Sequence, residues 1–187
     1  GSITEQVANY QPKNILGIDI SETSISIAKE RSRELNLSIK YQVQNCEATT
    51  LSSESFDIIY GGGILHHLDL AKSTIELNRL LRVNGFMIFM EPLGTNPLVN
   101  LYRKLTPKSR SVDEHPFVAK DFDFIKSTLG TVTVKYYGFI SLLFFMFYRN
   151  PKKSIIFKLF TTLDNWIFKL KFLRFLAWSV LIVAKKT

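Results

Sequence analysis

Short apolar runs alternate with amphipathic stretches along the chain, which is the pattern of strands and helices taking turns in a parallel sheet. Ser2-x-x-Glu5 opens a short helix through about Tyr10. Ile15–Ile18 reads as a buried parallel strand that stops at Asp19. Ser21–Leu35 reads as a helix with Ile25, Ala28 and Leu35 on one face, ended by Asn36. Ile39–Val43 alternates apolar and polar residues, as an outer strand does, and Phe56–Tyr60 is the next strand. Leu70–Arg82 is a helix with Asp69 as N-cap and Ile75, Leu77, Leu80 and Leu81 inward. Asn84-Gly85 is a turn of the kind that stops a helix, and Phe86–Met90 is a fully apolar strand. Gly94–Pro116 is rich in loop residues, with a short helical piece near Leu98–Leu105. Beyond it lie a helix over Lys120–Leu129 and a strand over Thr131–Gly138, with an extension towards Phe145. A helix follows from Pro151 to about Leu170, and Ala177–Ala184 is the last strand.

At 187 residues the chain suits one domain with a sizeable core. Its net charge of +8 is unevenly placed. Residues 1–96 carry 8 Lys/Arg against 11 Asp/Glu, whereas residues 97–187 carry 16 against 5. The basic half is also the more apolar and aromatic half. Its Lys and Arg are interleaved with Phe, Leu and Ile rather than with Gly, Ser and Asn, so a membrane surface or lipid-like partner ranks above nucleic acid. A solvated basic face is the plain alternative. The single Cys46 excludes an internal disulfide and suits a reducing cytoplasm. The longest uncharged apolar runs, 136–148 and 175–184, are shorter than the roughly 20 residues that span a bilayer.

Several segments carry chemistry. Asp19 stands at the carboxyl end of a buried strand, where open α/β sheets grip ribose hydroxyls; a helix-capping role is its ordinary alternative. Asn45-Cys46-Glu47-Ala48 follows the second strand, and Gly61-Gly-Gly-Ile-Leu-His66-His67 follows the third. Leu81-Arg-Val-Asn-Gly85-Phe86 leads into a strand closing on Glu91-Pro92. Taken together and in this order, these segments resemble the class I S-adenosylmethionine-dependent methyltransferases of the type 11 kind.

The resemblance implies a Rossmann-like, mostly parallel α/β sheet of seven strands ending in an antiparallel hairpin, with an added amphipathic helix before the last strand. It implies one domain over 1–187, with 1–92 binding the cofactor and 93–187 supplying the substrate side. The cofactor implied is S-adenosyl-L-methionine. Asp19 would hold its ribose, Ile20 would pack on the adenine, and Asn45 would take the adenine amine where the family often has Asp. Cys46 would act through its backbone N–H, and Gly61 and Gly62 would lie beside the methionine part. In the family a strand and a glycine-rich turn precede the first helix. Gly1 would be the last glycine of that turn, and the chain reads as truncated at its amino end, without its first strand. Such a strand belongs mid-sheet, and its loss leaves two strand edges unpaired.

Candidates on the acceptor side are His66 and His115 for catalysis, with His67, Glu91, Tyr102 and His115 for substrate contact. Loop-fastening hydrogen bonds are the plain alternative for each. A metal centre is not expected, since adjacent residues on an α-helix diverge by about 100°. On the helix from Pro151, the stripe Ile156, Leu159, Phe160, Leu163, Ile167 and Leu170 is expected to dock on the protein. Phe157, Phe168, Phe172 and Phe175, beside Lys158 and Lys169, are expected to face a membrane interface. The chemistry implied is methyl transfer to a small, hydrophobic or lipid-like acceptor by a cytoplasmic, peripherally membrane-bound enzyme. Two other readings stay open: a decayed, non-catalytic membrane-associated relative, and a nicotinamide-dependent oxidoreductase on a similar sheet.

Overall fold

The computed structural model describes residues 2–106, 114–147 and 154–187. Helix α1 (Ser2–Ala8) is followed by β1 (Leu16–Asp19), α2 (Glu22–Glu34), β2 (Lys40–Val43) and β3 (Phe56–Gly62). A 3-10 turn over Leu65–His67 leads to α3 (Leu70–Leu80) and β4 (Leu81–Pro92). Then come α4 (Pro97–Leu105), α5 (Ala119–Leu129), β5 (Gly130–Tyr137), α6 (Ile140–Phe147) and α7 (Ile155–Ile167). A 3-10 segment over Lys171–Leu176 precedes β6 (Ser179–Lys186).

The described strands number six and form two sheets, where a seven-stranded sheet lacking its first strand was expected. β1 and β2 pair in parallel, with Asp19 opposite Val43. The other sheet has the order β3-β4-β6-β5, with β3 parallel to β4 and the pairs β4–β6 and β5–β6 antiparallel. β1 and β3 do not pair with each other. Between them lies a cavity of about 500 Å3 lined by Leu16, Phe56, Ile58 and Tyr60 among others. A smaller one of about 150 Å3 beside it is lined by Thr4, Gly17, Ile18 and Ile59. Ile58, an apolar residue of a parallel strand, is 52% exposed there.

The main core lies where β4 and β6 meet α3 and α5. It is built from Leu77, Leu81, Met87, Ile125, Leu129 and Ile182, all under 9% exposed. A second, smaller cluster of Ile25, Ala28 and Tyr41 fixes α2 on β1 and β2. α2 ends at Leu35, which is its C-cap and is exposed. Ser32 is buried in the place expected of Leu35, its hydroxyl 3.0 Å from that of Tyr41. On α3, Asp69 accepts from Ala71 N and Lys72 N, as an N-cap does. Ile75 is exposed, because it lies about 200° around the helix from the buried Leu77. α3 stops at Leu80, before the expected Arg82, because Leu81 already pairs with Phe56 as part of β4. Asn84, at φ 66°, marks an irregularity inside β4 rather than a helix stop, and the register with β3 shifts across it.

β5 does not run on towards Phe145. Gly138 takes a left-handed φ of 77° and α6 begins at Ile140. The buried Asp164 of α7 fixes that helix start, accepting from Phe139 N (3.1 Å), Ile140 N (2.7 Å), Ser141 N (3.2 Å) and the Ser141 hydroxyl. The two faces of α7 are largely the reverse of those expected. Phe157 packs on Phe144 (centroids 5.1 Å apart), and Phe168 is buried against Tyr136 (6.2 Å). The aliphatic stripe of Ile156, Leu159, Leu163 and Leu170 is exposed. Phenylalanine rings reach across to α6 and β5 where shorter aliphatic side chains on the other face do not. Pro151, the expected helix start, lies outside the described residues.

Candidate functional site

The carboxyl ends of β1, β2, β3 and β4 carry nearly all the residues singled out in the sequence. Asp19 closes β1 and is exposed. Its Oδ1 accepts from Ser21 N at 2.8 Å, and Ser21 in turn caps α2 by accepting from Ser24 N. One carboxylate oxygen thus steadies the strand-to-helix turn, and the group keeps further acceptor capacity. Ile20 beside it is 72% exposed, an apolar surface next to an acid. Gln44 N donates to Asp19 O (3.0 Å), which brings the loop after β2 alongside. In that loop Asn45 Oδ1 accepts from Glu47 N (3.0 Å), leaving its second lone pair and its NH2 group for other partners. Glu47 Oε1 accepts from Asp69 N (2.8 Å) and ties this loop to the start of α3. Burial pushes the Cys46 thiol above its usual range, and the negative charges of Glu47 and Asp19 add to that. An inert thiol at neutral pH suits a backbone role there and not a nucleophile.

β3 ends in Gly61 and Gly62, with Gly63 next. A Cβ on Gly61 would come within 2.5 Å of the Phe89 ring. Gly63 sits at φ 65°, where L side chains are strained, and its N–H donates to Met90 O (2.8 Å). These glycines keep the strand end narrow and turn it sharply towards His66. Gly1 lies outside the described residues.

Glu91 organises the next turn. It is 1% exposed at the end of β4. Oε1 accepts from Ile64 N (3.1 Å) and Leu65 N (3.0 Å), and Oε2 accepts from His66 N (3.4 Å). His66 Nδ1 is 2.7 Å from Oε2. Glu91 was expected to face the substrate; its carboxylate is instead directed at the His66 turn and sets that ring's orientation. His66 is buried, and His67 is exposed with its ring tilted by 40° against it (centroids 3.9 Å apart). His115 N donates to His66 O (2.7 Å), so the loop before α5 is fastened to the same turn. The His115 ring lies 3.3–3.4 Å from the carboxylate of the buried Asp121, which also accepts from Val118 N. His115 therefore serves as a fastener in this structure. Tyr102 stands 58% exposed on α4, apart from these contacts. Sequence reasoning passed over Glu114, which the fold brings next to His66 and His67. Nothing local in the sequence signals it.

A second polar cluster supports the floor. Glu76 accepts from Arg79 Nε (2.8 Å), from Thr49 N (2.9 Å) and from the Thr49 hydroxyl (2.6 Å). The Arg79 bonds come first among the causes that hold its carboxyl down to about 2.

Comparison with known proteins bears on the family and the fold. Residues 1–89 match the family model described as a methyltransferase domain. The chain is 31% identical over 102 residues to a ubiquinone biosynthesis O-methyltransferase of Coxiella burnetii, covering 54% of this chain and 43% of that protein. It is 30% identical over 84 residues to a demethylmenaquinone methyltransferase of Bacteroides fragilis, covering 43% of this chain and 34% of that one. The chain thus spans less than half the length of these curated relatives. A solved SAM-dependent methyltransferase from Thermotoga maritima, described as a possible histamine N-methyltransferase, superposes with a TM-score of 0.64 at 16% identity. That superposition covers 94% of this chain and 74% of that one, and at this identity it speaks for the fold.

Proposed function

We infer that this chain is a class I S-adenosylmethionine-dependent methyltransferase and transfers a methyl group to a small lipophilic acceptor of quinol type. The observation that carries this is the gathering of Asp19, the Asn45 loop, Gly61–Gly63 and the Glu91–His66 pair along one carboxyl edge of the strands. The residues fit the cofactor. Asp19 has acceptor capacity for a ribose diol, Ile20 offers an exposed apolar surface for adenine, and the Asn45 amide keeps hydrogen-bonding capacity for the exocyclic amine. The glycines at the end of β3 let the strand pack closely on Phe89 and turn sharply beside the proposed place of the methionine part. When bound, S-adenosylmethionine supplies a methyl group already activated by its sulfonium. The protein's own work is then alignment and the exclusion of water. Glu91 holds His66 in place, and His66 and His67 face the acceptor side.

The quinol-type acceptor is supported by the two quinone-pathway relatives and by the apolar, basic second half of the chain. Around α7 the exposed large side chains include Ile155 (83%), Trp166 (67%) and Phe172 (71%). Lys169 Nζ stands 4.6 Å from the centroid of the Trp166 ring. Aromatic and aliphatic side chains set among Lys158, Lys169 and Lys171 suit an anionic lipid surface. None of the described helices is long and apolar enough to cross a membrane. The test is full-length protein with labelled cofactor and vesicles rich in phosphatidylglycerol that carry a prenylated catechol. Label in the extracted lipid and flotation with the vesicles are expected. A protein that stays off the vesicles and labels only small polar acceptors would refute the acceptor reading.

The cavity between β1 and β3 supports the reading that a further strand would pair there, with chain upstream of residue 1 as its proposed source. A strand paired on both sides would join the two sheets and satisfy both edges. Amide exchange of Leu16–Asp19 and Ile58–Tyr60 is expected to slow by at least tenfold in the full-length protein relative to residues 1–187. Equal exchange in the two would mean that no strand enters.

A further inference from the structure

His66, His67 and Glu114 each offer a ligand atom, and the three atoms all lie within 4.8 Å of one another. Ligands bound at roughly 2.0–2.2 Å to one zinc-like ion stand about 3–4 Å apart. A side-chain adjustment of less than about 1 Å would therefore complete such a set. The expectation against a metal rested on α-helical divergence. His66 and His67 lie in a 3-10 turn, where adjacent residues diverge by about 120°, yet their rings lean together, with centroids 3.9 Å apart and planes tilted by 40°. The third residue is not there by loop drift, because the 2.7 Å bond from His115 N to His66 O fixes its neighbour to the histidine turn.

Glu91 is the independent observation that points to a ligand. Its buried carboxylate takes His66 Nδ1, which leaves Nε2 as the ring's coordinating atom. A carboxylate behind a histidine is the usual way that a ligating imidazole is oriented and made more basic. His66 is buried, Glu114 half-buried and His67 exposed, so the cluster reaches the surface, where an exogenous ligand can enter. Two imidazoles and one carboxylate suit borderline divalent ions of the first transition row rather than magnesium or calcium, which prefer all-oxygen sites.

We propose that His66, His67 and Glu114 bind one such divalent ion, with Glu91 as the residue that positions His66. On the open side the ion would hold an oxygen of the acceptor as its anion, the hydroxyl proton leaving to solvent. That use rests on the methyl-transfer reading; the site itself does not.

The test is titration of metal-free full-length protein with Co2+, followed by visible absorbance, and with Zn2+, followed by calorimetry, both without cofactor. One ion per chain is expected, with micromolar or tighter affinity. His67→Ala and Glu114→Gln should each weaken binding at least tenfold, with an unchanged near-UV circular dichroism spectrum. Glu91→Gln should weaken it by about tenfold to hundredfold. Folded wild-type protein that takes up neither ion, or equal affinity in His67→Ala and Glu114→Gln, would overturn the proposal. S-adenosylhomocysteine titrated into the same protein separates the two readings, since cofactor binding without metal binding defeats only this one.

Discussion

Glu91→Ala is expected to destabilise the full-length protein by about 3–5 kcal/mol, the usual cost of breaking a buried charged network from one side. The wild-type carboxylate accepts from the backbone N–H groups of Ile64, Leu65 and His66 and contacts the His66 ring. Alanine leaves those donors facing a cavity from which water is largely excluded, and each buried orphan costs roughly 1–3 kcal/mol. The turn would relax to recover part of this, and in doing so it would lose the orientation of His66. Glu91→Gln keeps an acceptor oxygen but puts a donor where the second oxygen was, so its loss should fall between the two. Urea unfolding of the three proteins checks the order. A Glu91→Ala midpoint equal to that of the wild type would mean that the turn is held by something else.

Asp19→Ala is expected to weaken cofactor binding by roughly a hundredfold to a thousandfold while hardly changing stability. A carboxylate that accepts from two ribose hydroxyls makes two hydrogen bonds to a charged group, each worth roughly 1.5–3 kcal/mol. About 1.4 kcal/mol corresponds to a factor of ten. The side chain is exposed, and its one bond within the protein is to Ser21 N. Ser21 still caps α2 through Ser24 N in its absence. Asp19→Asn separates charge from shape: it retains one acceptor and should lose about tenfold. If Asp19→Ala binds S-adenosylhomocysteine within threefold of the wild type, Asp19 does not hold the ribose.

The strand and helix order was legible because each element carries a local signal. Asp69 and Ser21 sit immediately before apolar-periodic runs, and both cap as their side chains suggest. Phe86–Met90 is a five-residue apolar run between the Asn84-Gly85 turn and Glu91-Pro92, short enough to favour a strand over a helix, and it lies within β4. The chain's second half was less legible for a physical reason. An all-apolar run such as Ile140–Phe147 has no polar phase to distinguish strand from helix, and Asp164, more than twenty residues away, settles the matter by capping α6. On α7 both stripes are apolar, so periodicity could not say which one docks. Ring size and the reach to Phe144 and Tyr136 decide it.

The same division holds at the site. Asp19 and the β3 glycines announce themselves by standing at strand ends. The pairing of Glu91 with His66 spans 25 residues, and the backbone bond between His115 and His66 helps to bring Glu114 near. Neither leaves a mark in local sequence. Reading the divergence of His66-His67 from the backbone alone also misjudged their geometry, because the two side chains lean together until their ring centroids lie 3.9 Å apart.

The account stands on a cofactor site along the carboxyl edge of β1 to β4. Calorimetric titration of S-adenosylhomocysteine into the full-length protein tests it most directly. One-to-one binding in the micromolar range is the predicted result. No heat of binding up to millimolar ligand, from protein shown to be folded, would contradict the account.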